Sequence, residues 1–239
     1  MTAGLAVLMA MALWGQQPVP KEKYTFAMTV VQALKEGNTE LAAFIDPQAK
    51  PGSEQRIMES LLNVIDRLKA QGNPAELIPL NVLEYTDDNN GEKVWLIPLL
   101  WHNKIISLKL FRPVHYKGTW YLGGPVQLVN AAKEKKLTKG YQLYMAKCFS
   151  CHGKYGEGSI GPDLTDDYWK LAKNNEEVFK LIKDGIPGTL MLGFKEFLKD
   201  EEIKEIMLYL SILQGQKKRQ GKGPEGEKRQ LLRNLYFNK

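Results

Sequence analysis

Cys148-Phe149-Ser150-Cys151-His152 carries the clearest chemistry in the chain, because its two cysteines are the only two in 239 residues and a histidine follows the second directly. A C-x-x-C-H run is the pattern for covalent attachment of one haem through two thioethers. One helical turn separates the sulfurs enough to meet the two vinyl groups, and the adjacent imidazole comes beneath the iron as the proximal ligand. Structural zinc takes four Cys or His ligands, and no second C-x-x-C exists. A dithiol redox motif opens a helix after a strand; these cysteines close what reads as a helix, Lys139 to Cys148. No further cysteine is present to form a disulfide or accept a lipid.

The elements around the motif must supply the rest of such a site. A helix runs into it from Glu134, and a last helix covers Ile203 to Leu213. A second axial ligand has to come from Met145, Met191, Met207, His102 or His115. Met145 sits three residues before Cys148 on the same helix and is constrained against reaching the opposite haem face. Met207 lies inside the last helix. Met191 falls in the Gly-rich stretch Gly185-Ile-Pro-Gly-Thr-Leu-Met-Leu-Gly-Phe194, and a loop presents a thioether where a helix interior does not. Met191 is therefore favoured over a histidine or an open position.

This region resembles a class I cytochrome c. In that family a glycine and an aromatic residue stand eight and four positions before the first cysteine, where the first and last helices cross; Gly140 and Tyr144 occupy those positions. The resemblance implies an all-α haem domain over 133–214, with Ile206 and Tyr209 as the crossing partners. It further implies that the Pro162 carbonyl accepts a hydrogen bond from His152, and that Trp169 or Tyr168 approaches a haem propionate. The implied cofactor site is thus Cys148, Cys151, His152, Pro162, Trp169 and Met191, with His152 and Met191 on iron. The family reads Met-Pro-x-Phe where this chain has Met191-Leu-Gly-Phe194, so the loop lacks the usual stiffening proline. An iron with both axial positions filled suits electron transfer rather than catalysis, and Lys147, Lys154, Lys170, Lys173 and Lys195 could steer an acidic partner. The stretches Gly161–Trp169 and Gly223–Glu227 are similar to haem domains in cytochrome c subunits of haem-copper oxidases, which implies redox partners in a respiratory chain, an oxidase or dehydrogenase complex among them.

The first half reads differently. Phe26, Val30, Val31 and Leu34 make one face of a helix over 24–36, and Ile57, Leu61, Val64, Ile65 and Leu68 make the stripe of a second over 53–70, with Ser53 as its N-cap. The period then changes to two, predicting strands over 77–85, 93–101, 105–113 and 120–122. Helices first and hairpin-linked strands afterwards make an α+β domain over 22–129. Its order, and the Lys117-Gly-Thr-Trp-Tyr-Leu122 ending, resemble the cone-shaped cystatin-like folds related to nuclear transport factor 2. His102 and His115 fall at turns, and Asp87–Asn90 lacks the alternating ligands of a calcium loop. Trp95, Trp101, Trp120 and Tyr121 read as core. No catalytic site is expected here.

The length suits two domains. Residues 216–239 hold eight basic residues against Glu225 and Glu227, which accounts for the whole formal charge of +6. Basicity confined to a tail speaks against a nucleic-acid-binding face. The tail, 215–239, is Gly-rich and polar and is expected to be mobile. Residues 1–17 form an apolar, signal-like segment too short to span a bilayer, which together with haem attachment implies export to the periplasm. Peripheral membrane association through the tail or an uncleaved first segment is the further localisation considered. The competing functions are a haem-based sensor or ligand-binding protein that uses the N-terminal domain, and an enzyme such as a peroxidase, which a single motif disfavours.

Overall fold

The computed structural model describes residues 23–38, 40–87, 90–215, 221–233 and 235–237. The apolar segment 1–17 and the Gln/Pro linker after it lie outside the described residues. The chain divides into two compact units: residues 1–99 with 107–129, and residues 100–106 with 130–239.

In the first unit α1 (Lys23–Glu36) buries Phe26, Ala27, Val30, Val31, Ala33 and Leu34, the face its periodicity marks. The second helix, α2 (Ser53–Gln71), buries Ile57, Leu61, Val64, Ile65 and Leu68. Gly52 at φ 79° makes its entry turn, and Ser53 is the first helical residue rather than a cap accepting from the helix. The strands are β1 (Ile78–Pro79), β2 (Leu83–Thr86), β3 (Lys93–Trp101), β4 (Lys104–Phe111), β5 (Pro113–Tyr116), β6 (Thr119–Leu122) and β7 (Val126–Val129). A five-stranded sheet runs β1-β3-β4-β7 with β2 also on β3, and β5 and β6 form a separate ribbon.

The stretch expected as one strand over 77–85 is two. Pro79 has no N–H to continue the ladder, and Asn81 turns its side chain back on the Val82 amide at 2.8 Å. The alternation of β7 was too short to register in the sequence; its pairing with β4 from Ser107↔Val129 to Leu110↔Val126 defines it. Trp95 is fully buried, donates from Nε1 to Glu84 Oε2 at 2.7 Å, and meets the Trp120 ring at 4.7 Å. It is a core residue.

The second unit holds α3 (Ala132–Lys147), the single turn α4 (Phe149–His152), α5 (Asn175–Asp184) and α6 (Asp200–Leu213). Helices α3 and α6 cross at Gly140. A Cβ there would overlap the Glu205 carbonyl and stand 3.1 Å from Tyr209 Cβ, so only glycine lets the backbones meet. Tyr209 then packs its ring at 5.3 Å from Tyr144 and 5.6 Å from Tyr141. The partner of Gly140 is thus the Glu205 backbone together with Tyr209, one residue from the expected Ile206.

An all-α domain does not describe this unit. It carries an antiparallel pair, β8 (Tyr168–Trp169) with β9 (Glu227–Lys228), and residues 100–106 at the β3–β4 turn. Ile105 donates its amide to Thr138 Oγ1 on α3 at 2.8 Å, and Asn103 O accepts from Gln142 at 3.4 Å. The reason is that the loop after His152 leaves extended backbone with unmatched amides and carbonyls, and strand pairing satisfies them.

Nor is the end of the chain loose where it is described. Leu231, Leu232 and Tyr236 are buried. Arg233 grips Asp167 through two nitrogens at 3.0 and 2.8 Å, and Leu232 donates to Asn175 Oδ1 at 2.9 Å. Glycine and charge made this stretch look like solvent-loving chain. Here the glycines serve close approach instead: a Cβ on Gly226 would lie within 2.6 Å of the Trp169 and Lys170 backbone.

Two stability outcomes follow from these contacts. Gly140→Ala forces apart two backbones, so it should cost at least the ~1–3 kcal/mol of ordinary overpacking, read as a lower denaturant midpoint. Glu134 is fully buried and its carboxylate is held by the Ala131 amide at 3.0 Å and the Tyr236 hydroxyl at 2.6 Å. Tyr236→Phe removes one of these donors and should cost about 1.5–3 kcal/mol, checked by the same denaturation with an unchanged m-value.

Candidate haem-binding site

Helix α3 delivers Cys148, and α4 turns once around the motif. The Cys148 carbonyl accepts from the Cys151 amide at 3.2 Å and the His152 amide at 3.0 Å. Gly153, at φ 81°, ends the turn, and its carbonyl takes the Tyr144 hydroxyl at 2.6 Å. The two cysteines and the histidine therefore lie on one helical turn whose root is pinned to the α3–α6 crossing.

The loop after the turn folds back over it. Gly158 donates to the His152 carbonyl at 2.8 Å and Gly161 to the Cys151 carbonyl at 2.7 Å. His152 is 8% exposed, and its Nδ1 lies 3.0 Å from the Pro162 carbonyl. A carbonyl only accepts, so Nδ1 carries the proton and Nε2 keeps its lone pair. Burial holds the imidazole below its ordinary pKa; the Pro162 contact opposes this and the Lys222 charge adds to it. The histidine is thus neutral at pH 7, the form that ligates metal.

Both thiols are free, and burial pushes Cys148 up to about 12, with Cys151 adding to the rise. Reactive C-x-x-C pairs have depressed values. Among the described residues no group of three or more His, Cys, Asp or Glu is placed to hold a metal ion, which leaves zinc without a ligand set.

Met191 lies on the Gly185–Gly193 loop between α5 and α6, with its side chain half-buried. Its carbonyl accepts from Ile186 at 2.8 Å and its amide donates to Thr189 Oγ1 at 3.1 Å. Gly185 bridges to Leu192, and a Cβ on Gly193 would stand 2.6 Å from the Asp184 carbonyl carbon. Backbone closure stiffens this loop where the expected proline is missing. Of the other candidates, Met207 is buried within α6, Met145 stays on α3, and the His102 and His115 rings lie tilted against Trp101 at 5.2 Å and Trp120 at 4.8 Å.

Two features fit these residues to a haem. Among the described residues, the large apolar side chains that are exposed, Leu62 apart, fall between Phe149 and Phe197: Phe149, Ile160, Leu171, Leu190, Leu192 and Phe197. Apolar surface so concentrated around one motif is the kind that covers a large flat apolar group. Trp169 is 9% exposed, yet its Nε1 has no hydrogen-bond partner among the described residues, a donor suited to a carboxylate. Sequence reasoning missed Gly161. A Cβ there would stand 2.6 Å from His152 Cε1 and 2.8 Å from Nδ1, so the glycine before Pro162 makes room for the ring.

A C-x-x-C-H turn beneath crossed first and last helices, with a proline carbonyl on the histidine, defines a c-type cytochrome domain. The chain belongs to the cytochrome c family, and its residues 135–210 match the family described as cytochrome c oxidase, cbb3-type, subunit III. Cytochrome c55X of Paracoccus denitrificans is 31% identical over 93 residues, covering 39% of this chain and 82% of that protein. Cytochrome c-L of Methylorubrum extorquens is 31% identical over 83 residues, 34% of this chain and 42% of the other. Cbb3-type cytochrome c oxidase subunit CcoP of Rhodobacter capsulatus is 28% identical over 93 residues, 35% and 31% of the two chains. The chain thus spans less than half the length of the last two relatives.

Gly161→Ala tests the cradle around His152. Placing a methyl against the ring should lower the haem content of purified protein ~2-fold or more, since overpacking a filled site costs about 1–3 kcal/mol, while far-ultraviolet circular dichroism stays unchanged.

Proposed function

We propose that the protein is an exported, periplasmic cytochrome that carries one covalent haem c and passes electrons between redox proteins of a respiratory chain. Cys148 and Cys151 hold the haem as thioethers, and His152 and Met191 are its axial ligands. The observation that carries this reading is the His152–Pro162 contact. It leaves Nε2 as the one free ring nitrogen on the turn that bears both cysteines, and it fixes the ring orientation and basicity.

When bound, the haem supplies a one-electron couple, with His/Met ligation favouring a higher potential than other axial sets. The chain's part is to hold and shield it. The α3–α6 crossing anchors the cysteine turn, so little reorganisation accompanies a change of charge. The half-buried Met191 and the closed loop around it exclude water and exogenous ligands from the distal face. Phe149, Leu190, Leu192 and Phe197 lower the local dielectric, which disfavours the charged ferric state. The cbb3-type match supports an oxidase or a protein feeding one as the partner class. Among the described residues no helix is long and apolar enough to cross a membrane; export rests on the segment 1–17, and peripheral membrane association on that segment or on the tail.

The spectrum of the oxidised protein tests the ligand set. A weak far-red thioether-to-iron band is expected in the wild type and in Met207→Ala, and its loss in Met191→Ala. The same substitution should let carbon monoxide bind the reduced protein and lower the midpoint potential by on the order of 0.1 V, within the ~0.8 V span that axial ligands command. A band that persists in Met191→Ala rules Met191 out.

A further inference from the structure

We infer that the segment after α6 acts on the haem site as a strap, in which Lys222 is a positioning residue for His152: it holds the loop whose Pro162 carbonyl fixes the imidazole. The inference rests on the haem reading above. Lys222 lies beyond the family-matched residues 135–210.

The loop that carries the Pro162 carbonyl is held from two directions. Its own amides bind it to the cysteine turn, Gly158 donating to the His152 carbonyl at 2.8 Å and Gly161 to the Cys151 carbonyl at 2.7 Å. The strap answers two of its carbonyls through one residue. The Lys222 amide donates to Glu157 O at 3.0 Å, and Lys222 Nζ donates to Ile160 O at 3.2 Å. Lys222 thus bridges residues 157 and 160, the second of them two positions before Pro162. Two glycines permit the approach. A Cβ on Gly221 would stand 2.1 Å from the Glu157 carbonyl oxygen, and one on Gly158 would stand 3.0 Å from Lys222 Cβ. Glu225 Oε1 accepts from the same ammonium at 3.2 Å, which aims it as well as compensating its charge.

The strap is anchored on either side of Lys222. Before it, the Gly215 amide donates to the Thr165 carbonyl at 2.7 Å. After it, β9 pairs with β8 and Arg233 takes Asp167. A donor on fixed backbone gives up less freedom when it binds a carbonyl, so Lys222 restrains the loop more than a lysine on free chain would. The His152 Nδ1 contact with Pro162 O, 3.0 Å, depends on where this loop lies. Local opening of the loop must break the bonds of Lys222 together with those of Gly158 and Gly161. A carbonyl that withdraws from Nδ1 leaves the ring less firmly oriented and less basic towards iron.

Hydrogen exchange and the His152 Nδ1–H proton resonance, followed by NMR in the reduced, haem-loaded full chain, test the strap in Lys222→Met, Lys222→Arg and Lys170→Met. Lys222→Met keeps the backbone donor and the apolar stem and removes the ammonium alone. Lys170→Met removes the same charge from the other partner of Glu225, 3.8 Å away. In Lys222→Met the Gly158 and Gly161 amides and the Nδ1–H should exchange roughly 3- to 10-fold faster, the effect of losing one hydrogen bond from the closed loop. The Nδ1–H resonance should move upfield as its bond to Pro162 weakens. The Gly140 and Tyr209 amides at the helix crossing should keep their rates. Lys222→Arg, which retains a donor and the charge, should return both signals to wild-type values, and Lys170→Met should leave them unmoved. Wild-type rates and resonance in Lys222→Met overturn the positioning role, as does a rise in exchange shared equally by Gly140 and Tyr209. The mass of denatured wild-type protein separates the two readings. A chain without a covalent haem overturns the function, and its Gly158 and Gly161 exchange still tests the strap; an attached haem with unmoved rates overturns the strap alone.

Discussion

A missing side chain at Gly140 lets two helix backbones touch, and the geometry of the second unit descends from that contact. Because α3 and α6 meet at the Glu205 carbonyl, Tyr209 is carried under Tyr144, and the Tyr144 hydroxyl reaches the Gly153 carbonyl at the close of the cysteine turn. The turn bearing Cys148, Cys151 and His152 is thereby tied to the close-packed crossing of α3 and α6. A covalent cofactor attached there would inherit that rigidity, which suits a carrier whose rate depends on small reorganisation.

The loops close the site by backbone approach rather than by large side chains. Gly158 and Gly161 return their amides to the cysteine turn, Gly185 and Gly193 clamp the loop of Met191, and Gly226 draws the chain's end against Trp169. Each approach is closed to any residue with a Cβ. The apolar side chains left outward around this frame, from Phe149 to Phe197, then act as walls. Of the polar atoms in the site, His152 Nδ1 is satisfied within the chain by the Pro162 carbonyl.

Much of the cysteine turn was legible in the sequence because its signal is local. Two cysteines three apart and a histidine next to them allow little else, and the resemblance to class I cytochromes c marks Gly140 and Tyr144 as the crossing. The helices of the first unit were legible for a similar reason, since Phe26, Val30 and Leu34 repeat with helical period. Less visible were β5 and β7, four residues each, whose identity rests on partners far along the chain.

Residues 221–237 mark the other limit of local reading. Their glycine and charge content resembles chain that cannot bury enough surface to order itself. What orders them are single matches at long range: Arg233 to Asp167, Tyr236 to Glu134, β9 to β8. The same matches turn an expected all-α domain into one with a strand pair. The sequence by itself determined the C-x-x-C-H motif and the helix that presents it, because those depend on neighbours within a few turns. Only the tertiary structure decided what surrounds them, because a Cβ collision, an unanswered N–H or a strand partner exists only once distant backbones are brought together.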